Sequence, residues 1–235
     1  MSGQVHPRAW VDPGAHLGDE VEVGAFAVVE AGARLESGCR VGAYVYIGKG
    51  VTVGAGCRLE TGAVLLPGTV LGEGCTVQEG CVLGSTGFGF VMHEGQHLHI
   101  PQVSGVQVGA QTVIGAATCV DRGTLEPTVI GSQVRIGAQV QVAHNVTIGD
   151  RTTVEMQSGF AGSSTIGSDC QIGMQVGMAG HSSVGDRSRL AARTGNLRKA
   201  PADSDLWGFP ARPRAEAMKA QAALLRLAKL TDADS

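Results

Sequence analysis

Residues 130–195 read IGSQVRIGAQVQVAHNVTIGDRTTVEMQSGFAGSSTIGSDCQIGMQVGMAGHSSVGDRSRLAARTG. Cut into sixes, this stretch gives eleven blocks that each open on a bulky apolar residue, from Ile130, Ile136 and Val142 to Val184 and Leu190. The fifth place of each block is small or β-branched, as at Val134, Val140, Ser158, Cys170 and Thr194. A six-residue period matches neither the 3.6 of an α-helix nor the 2.0 of an alternating strand. It matches a parallel β-helix, in which each hexad supplies one short strand and one corner. Two histidines stand out against the pattern: His144 in the third place of its hexad and His181 in the fourth.

The same period begins upstream at Val5 and runs to Phe88 without a slip, through fourteen first places that are all Val, Leu or Ile. First and fifth places are expected to point inward, with glycines such as Gly24, Gly42 and Gly54 at the corners. Three hexads make one triangular coil, so the repeat predicts just over nine coils, stacked about 4.8 Å apart. Residues 84–105, GSTGFGFVMHEGQHLHIPQVSG, break the period and are expected to form a projecting loop, the kind of ejected segment that often carries function. The hexads resume at Val108, and a four-residue interruption follows at Glu126–Val129. The expected organisation is a repeat domain over 5–195, a linker and cap over 196–213, and one helix over 214–230, where Met218, Ala222 and Leu225 have helical spacing. The fold class is therefore all-β: a parallel β-helix with a projecting loop and a C-terminal α-helix.

Composition agrees with a chain that turns every few residues: 36 glycines of 235, with 4% aromatic and 17% charged residues. A net charge of −3 gives no sign of nucleic-acid binding. The charge is uneven, however, because ten basic and five acidic residues lie from Arg187 onward, so a basic end sits on an acidic body. That end suits an acidic partner. Of six cysteines, Cys39, Cys57, Cys75, Cys81 and Cys170 occupy fifth places, where they read as small buried residues rather than bridges or ligands. A reducing cytoplasm is the expected compartment, with no leader and no apolar run of about eighteen residues to span a membrane.

Candidate chemistry lies in the histidines. An imidazole, with an ordinary pKa of about 6.5, suits a general base for an amine or hydroxyl nucleophile. His144 and His181 are two coils and one residue apart, which places them on one edge of the prism about 10 Å from each other. One base and one substrate-binding group over a groove is the reading of that spacing. His93, His97 and His99 have a spacing that could hold zinc, but a loop is a poor ligand frame and no further ligand completes a set, so no metal and no cofactor are expected.

Specific motifs add a family resemblance. GFGF and IPQ in the loop, VDRGTLEPTVIG at 120–131, QVAHNVTIG at 141–149, GMAGH at 177–181 and GFPARP at 208–213 resemble the bacterial UDP-3-O-acylglucosamine N-acyltransferases of lipid A synthesis. The resemblance implies a left-handed β-helix, a homotrimer with active sites in the grooves between subunits, and transfer of a hydroxyacyl chain from acyl carrier protein to the amine of a UDP-sugar. It implies His144 as general base, His181 as a second active-site histidine, and the Gly162 backbone N–H as oxyanion donor. It implies that the basic C-terminal helix docks the acidic carrier protein. The chain departs from the family in three places. The hexads start where a uracil-binding N-terminal domain is usual, Gly137-Ala138 replaces an acid–amide pair, and residues 193–197 replace a methionine-rich run. Two alternatives remain from the sequence: an acetyl-CoA-dependent sugar N-acetyltransferase, and a catalytically silent β-helix that binds a partner.

Overall fold

The computed structural model describes residues 3–233. It is a left-handed parallel β-helix with three flat faces. Face one runs from Trp10–Val11 to Gly195–Asn196, face two from His16–Leu17 to Lys199–Ala200, and face three from Glu22–Val23 to Asp205–Trp207. Most strands are two residues long, and each pairs in parallel with the strand one coil away, as in Tyr46↔Val64↔Val82. In most of the two-residue strands the second residue points inward and is buried, while the first faces out.

The corners follow from turn chemistry. The fourth place of the hexad adopts positive φ, with glycine at Gly32, Gly50 and Gly62 and a polar residue at Gln139, Asn145, Ser163 and His181. The fifth-place N–H then returns to the second-place carbonyl, as in Val146 to Ala143 and Ser164 to Ala161. This is the geometry of a type II turn, whose third residue needs φ above zero. Fifth places are buried against the axis: Ala27, Cys39, Cys57 and Val134 all have essentially no exposure. Where the fifth place is a hydroxyl residue, it bonds a glycine carbonyl, as Thr118 does to Gly137 O at 3.0 Å and Thr152 to Gly167 O at 2.8 Å. The thiols do likewise: Cys39 and Cys57 reach Gly54 O and Gly72 O, each at 3.1 Å. Cys57, hydrogen-bonded between the Cys39 and Cys75 thiols and buried, is pushed above the usual thiol range.

The structure corrects two sequence expectations. The repeat does not stop at Gly195. Gly195–Asn196, Lys199–Ala200 and Asp205–Trp207 all pair in parallel with the coil before them, giving ten coils rather than just over nine. The signal was lost because Asn196 fills an inward place, buried, with its amide donating to Arg198 O at 3.0 Å. The cap is therefore shorter, and Arg212–Pro213 folds back antiparallel on Leu206 and Trp207. The helix follows directly as Arg214–Ala233, longer than the expected 214–230.

Residues 84–105 are also more ordered than a loop. Phe90–His93 and Gln96–His99 form an antiparallel hairpin closed by Glu94 and Gly95, both at positive φ, the signature of a type I′ turn. His97 and His99 stand edge-on to Phe90, with centroids 6.3 and 5.1 Å away. Among the described residues no group of three or more His, Cys, Asp or Glu side chains is placed to hold a metal. Nor is any described helix long and apolar enough to cross a membrane.

Candidate active site

The edge between faces one and two carries His144, Gly162 and His181. Successive coils are laced there by Ser163 N–H donating to His144 O at 3.0 Å and His181 N–H donating to Gly162 O at 3.2 Å. His144 is half-buried, and its ring packs against Gly162 of the next coil. A Cβ added to Gly162 would meet His144 Nε2 at 2.5 Å and Cε1 at 2.6 Å, so any side chain there would push the imidazole aside. His181 occupies the left-handed fourth place, with φ of 59°, and is exposed one coil beyond Gly162.

Asn145, which the sequence reading passed over, sets the chemistry of His144. Its Oδ1 lies 3.1 Å from His144 Nδ1. The orientation of the amide is fixed, because Oδ1 also accepts from Thr124 N–H at 3.0 Å and Thr124 Oγ1 at 2.9 Å, while Nδ2 donates to Glu126 O at 2.7 Å. An amide oxygen only accepts, so Nδ1 carries the proton and Nε2 is left with its lone pair facing Gly162. The signal in the sequence was the asparagine itself, a residue that tolerates positive φ and bonds locally through its side chain.

The N–H of Gly162 makes no hydrogen bond among the described residues. At some other corners the equivalent N–H is covered by an acid from a neighbouring coil, as Ser132 is by Asp150, Ser168 by Asp186 and Met174 by Glu155. The positions from which such an acid would reach Gly162 are Ala143 and Gly180. The donor is therefore left open on the residue against which the imidazole packs.

Beside this edge, face one forms an apolar groove of about 430 Å³. Ala143, Ala161 and Ala179 line one side, and Gly159 and Gly177 leave its floor open, with nothing within 4 Å of where their side chains would stand. The far end is closed by Phe209, which lies on Gly195 so closely that any Cβ there would fall inside its ring. Neither the glycine column nor Phe209 could be assigned from spacing, because the cap was not known to fold over the groove. An imidazole base, an open backbone donor and an apolar trough in one place are what acyl transfer to a nucleophile needs.

Comparison with known proteins agrees. The model of the bacterial transferase hexapeptide, six repeats long, matches residues 32–67, 50–85 and 127–162. A UDP-3-O-acylglucosamine N-acyltransferase from Bordetella parapertussis is 54% identical over 164 residues, covering 68% of this chain and 45% of that protein. One from Thermosynechococcus vestitus is 48% identical over 150 residues, covering 63% and 44%. The chain belongs to this N-acyltransferase family. It spans less than half the length of those members. Among solved structures, a UDP-N-acetylglucosamine O-acyltransferase from Moraxella catarrhalis matches over 92% of this chain and 77% of its own, with a TM-score of 0.61 at 21% identity. At that identity the likeness is one of fold.

The close seating of His144 on Gly162 has a measurable consequence. Gly162→Ala is expected to cost about 1–3 kcal/mol, the usual range for overpacking. In a His144→Ala background the cost should largely vanish, because the clash is with the imidazole alone. A double-mutant cycle of denaturant unfolding checks this; equal costs in both backgrounds would place the ring elsewhere.

Proposed function

We propose that the chain transfers an acyl group from a thioester to the amine of a UDP-amino sugar. The observation that carries this is the packing of the His144 imidazole on Gly162, whose N–H is open, beside the apolar groove. In this reading Nε2 removes a proton from the amine as it attacks the thioester carbonyl carbon. The Gly162 N–H holds the oxyanion, the C–S bond breaks, and the imidazolium returns the proton to the leaving thiolate. The acyl chain lies along Gly159 and Gly177 towards Phe209, and His181 contacts substrate from the next coil. The names of the relatives support the amino-sugar acceptor.

The working unit proposed is a homotrimer. Outward residues on face one are apolar in the early coils, at Trp10, Val28, Tyr46 and Val64, whereas face three presents Glu22, Arg40 and Arg58. The hairpin adds exposed Phe88, Val91, Met92 and Leu98. Face one, packed against a second copy and covered by its hairpin, turns the open groove into an enclosed site.

An acyl carrier protein is the proposed donor. Arg214, Lys219 and Arg226 lie on a helix that packs against Asp205–Trp207 and Arg212–Pro213. An acidic carrier would find there both charge and the exposed Leu224 and Leu225.

His144→Ala is expected to lower kcat by about 10²–10⁴, the usual contribution of a positioned base, and to abolish the ascending limb of kcat/KM against pH. Turnover of acyl thioester that is indifferent to His144 would mean another base. Phe209→Ala is expected to shift the preferred acyl chain to greater length, read by competition between thioesters of different length, and an unchanged preference would take the end of the groove away from Phe209. Reversing the charge at Arg214, Lys219 and Arg226 should raise KM for acylated carrier several-fold at low salt and less at high salt, since exposed charges are screened beyond about 8 Å at physiological ionic strength. Kinetics insensitive to both would leave the helix without that role.

A further inference from the structure

Next to the groove lies a buried carboxylate that the mechanism above does not use. Asp121 is 7% exposed. It stands one coil before Ala143, because Cys119 pairs with Gln141 and Val120 with Val142. Its column on face one therefore continues through Ala143, Ala161 and Ala179, so Asp121 lies one coil beyond the Ala143 end of the groove, with Phe209 at the other end.

Its carboxylate has two neutral partners. Oδ1 accepts from Ser85 Oγ at 2.8 Å and Oδ2 accepts from Gln141 Nε2 at 3.0 Å. No Lys, Arg or His of the described residues makes an ion pair with it. The adjacent Arg122 is turned away, donating from Nε to Gly84 O at 2.7 Å and from its terminal nitrogen to Pro67 O at 3.0 Å. A carboxylate has about four acceptor sites, so roughly two remain. Gly87 packs against the carboxylate with no side chain of its own, since a Cβ there would stand 2.8 Å from Oδ2. Buried anions are ordinarily paired with a cation, and here the chain supplies none.

We infer that Asp121 binds the amino group of the acceptor sugar in its cationic resting form, holding it at the His144 end of the groove while the acyl chain occupies the other. The ammonium releases one proton to solvent, and the neutral amine then attacks as Nε2 takes the second. This rests on the acyl-transfer reading for the identity of the ligand. It follows from the polarity of the column: three alanines and an aromatic stop suit a hydrocarbon, and a lone buried carboxylate suits a cationic donor. Asp121 would then distinguish an amine acceptor from a hydroxyl or an amide, a choice that the base alone cannot make.

The test is calorimetric binding of UDP-glucosamine, UDP-N-acetylglucosamine and UDP-glucose to the full chain, in wild type and Asp121→Asn, below the pKa of the sugar amine. Wild type is expected to bind UDP-glucosamine at least about tenfold more tightly than the other two, the scale of a charge-assisted hydrogen bond. Asp121→Asn should remove that preference while changing the other two affinities less than about twofold. Equal affinities in wild type, no binding of UDP-glucosamine, or a preference surviving in Asp121→Asn would overturn the assignment. Equal weakening for all three ligands with a lowered Tm would also overturn it, leaving Asp121 as a tether between Ser85 and Gln141. Acyl thioester turnover is measured separately. Its absence alongside an intact amine preference would sink the transfer reaction but not the Asp121 site, and turnover without the preference would do the reverse.

Discussion

No strand in the coils could persist alone. Two residues give too few hydrogen bonds to offset the ordering of their own backbone, and a strand gains its partners only when the chain has travelled a full coil. The eighteen-residue register is thus the constraint from which the rest follows. It aligns Val29 on Ile47 and Ile148 on Ile166, so inward side chains stack on their own kind. It also puts every corner over the previous corner, so an edge of the prism is a column in which position is set within a few tenths of an ångström by the ladder itself. His144, Gly162 and His181 stand in such a column.

The other two edges show what the same geometry does without chemistry. One carries Arg151, Asp169, Arg187 and Asp203 in successive coils, with bidentate pairs from Arg151 to Asp169 and from Arg187 to Asp203. The guanidinium beside each holds the Asp169 and Asp203 carboxyls below the usual range, yet the pairs are exposed and screened, and their contribution to stability is small. The remaining edge carries Gln139, Gln157 and Gln175, each amide bonded to the next, ending on Arg193. Those ladders satisfy their members internally. The histidine edge differs in carrying an imidazole whose second ring nitrogen is left without a partner among the described residues.

That difference explains how much the sequence disclosed. The inward places, the corners and the common edge of His144 and His181 were legible because they are periodic, and a period survives without knowledge of tertiary contacts. Asn145 was not legible as an orienting residue, since its partners Thr124 and Glu126 lie in an insertion about twenty residues away that obeys no period. The groove was not legible either. In the sequence Gly159 and Gly177 are two glycines among many, but they are strand residues whose missing side chains open a face. Phe209 closes that face only because Asn196, Ala200 and Leu206 carry the coil on past Gly195, where the apolar alphabet had lapsed.

Both interruptions of the period fall beside the same corner. The hairpin leaves from Ser85 and returns at Val106, and the second insertion leaves from Asp121 and returns at Thr128. Their roots meet: Ser85 bonds Asp121, Gln102 Oε1 accepts from Gly87 N–H, and Asn145 N–H donates to Thr128 Oγ1. A perfect repeat would present Ala143 and His144 on a bare corner with nothing to choose a tautomer and no carboxylate below. An insertion at any other corner would leave them so. The regular coils therefore fix where the imidazole stands, and the two irregular segments, rooted one coil beneath it, fix which nitrogen is basic and what polarity the groove has at that end.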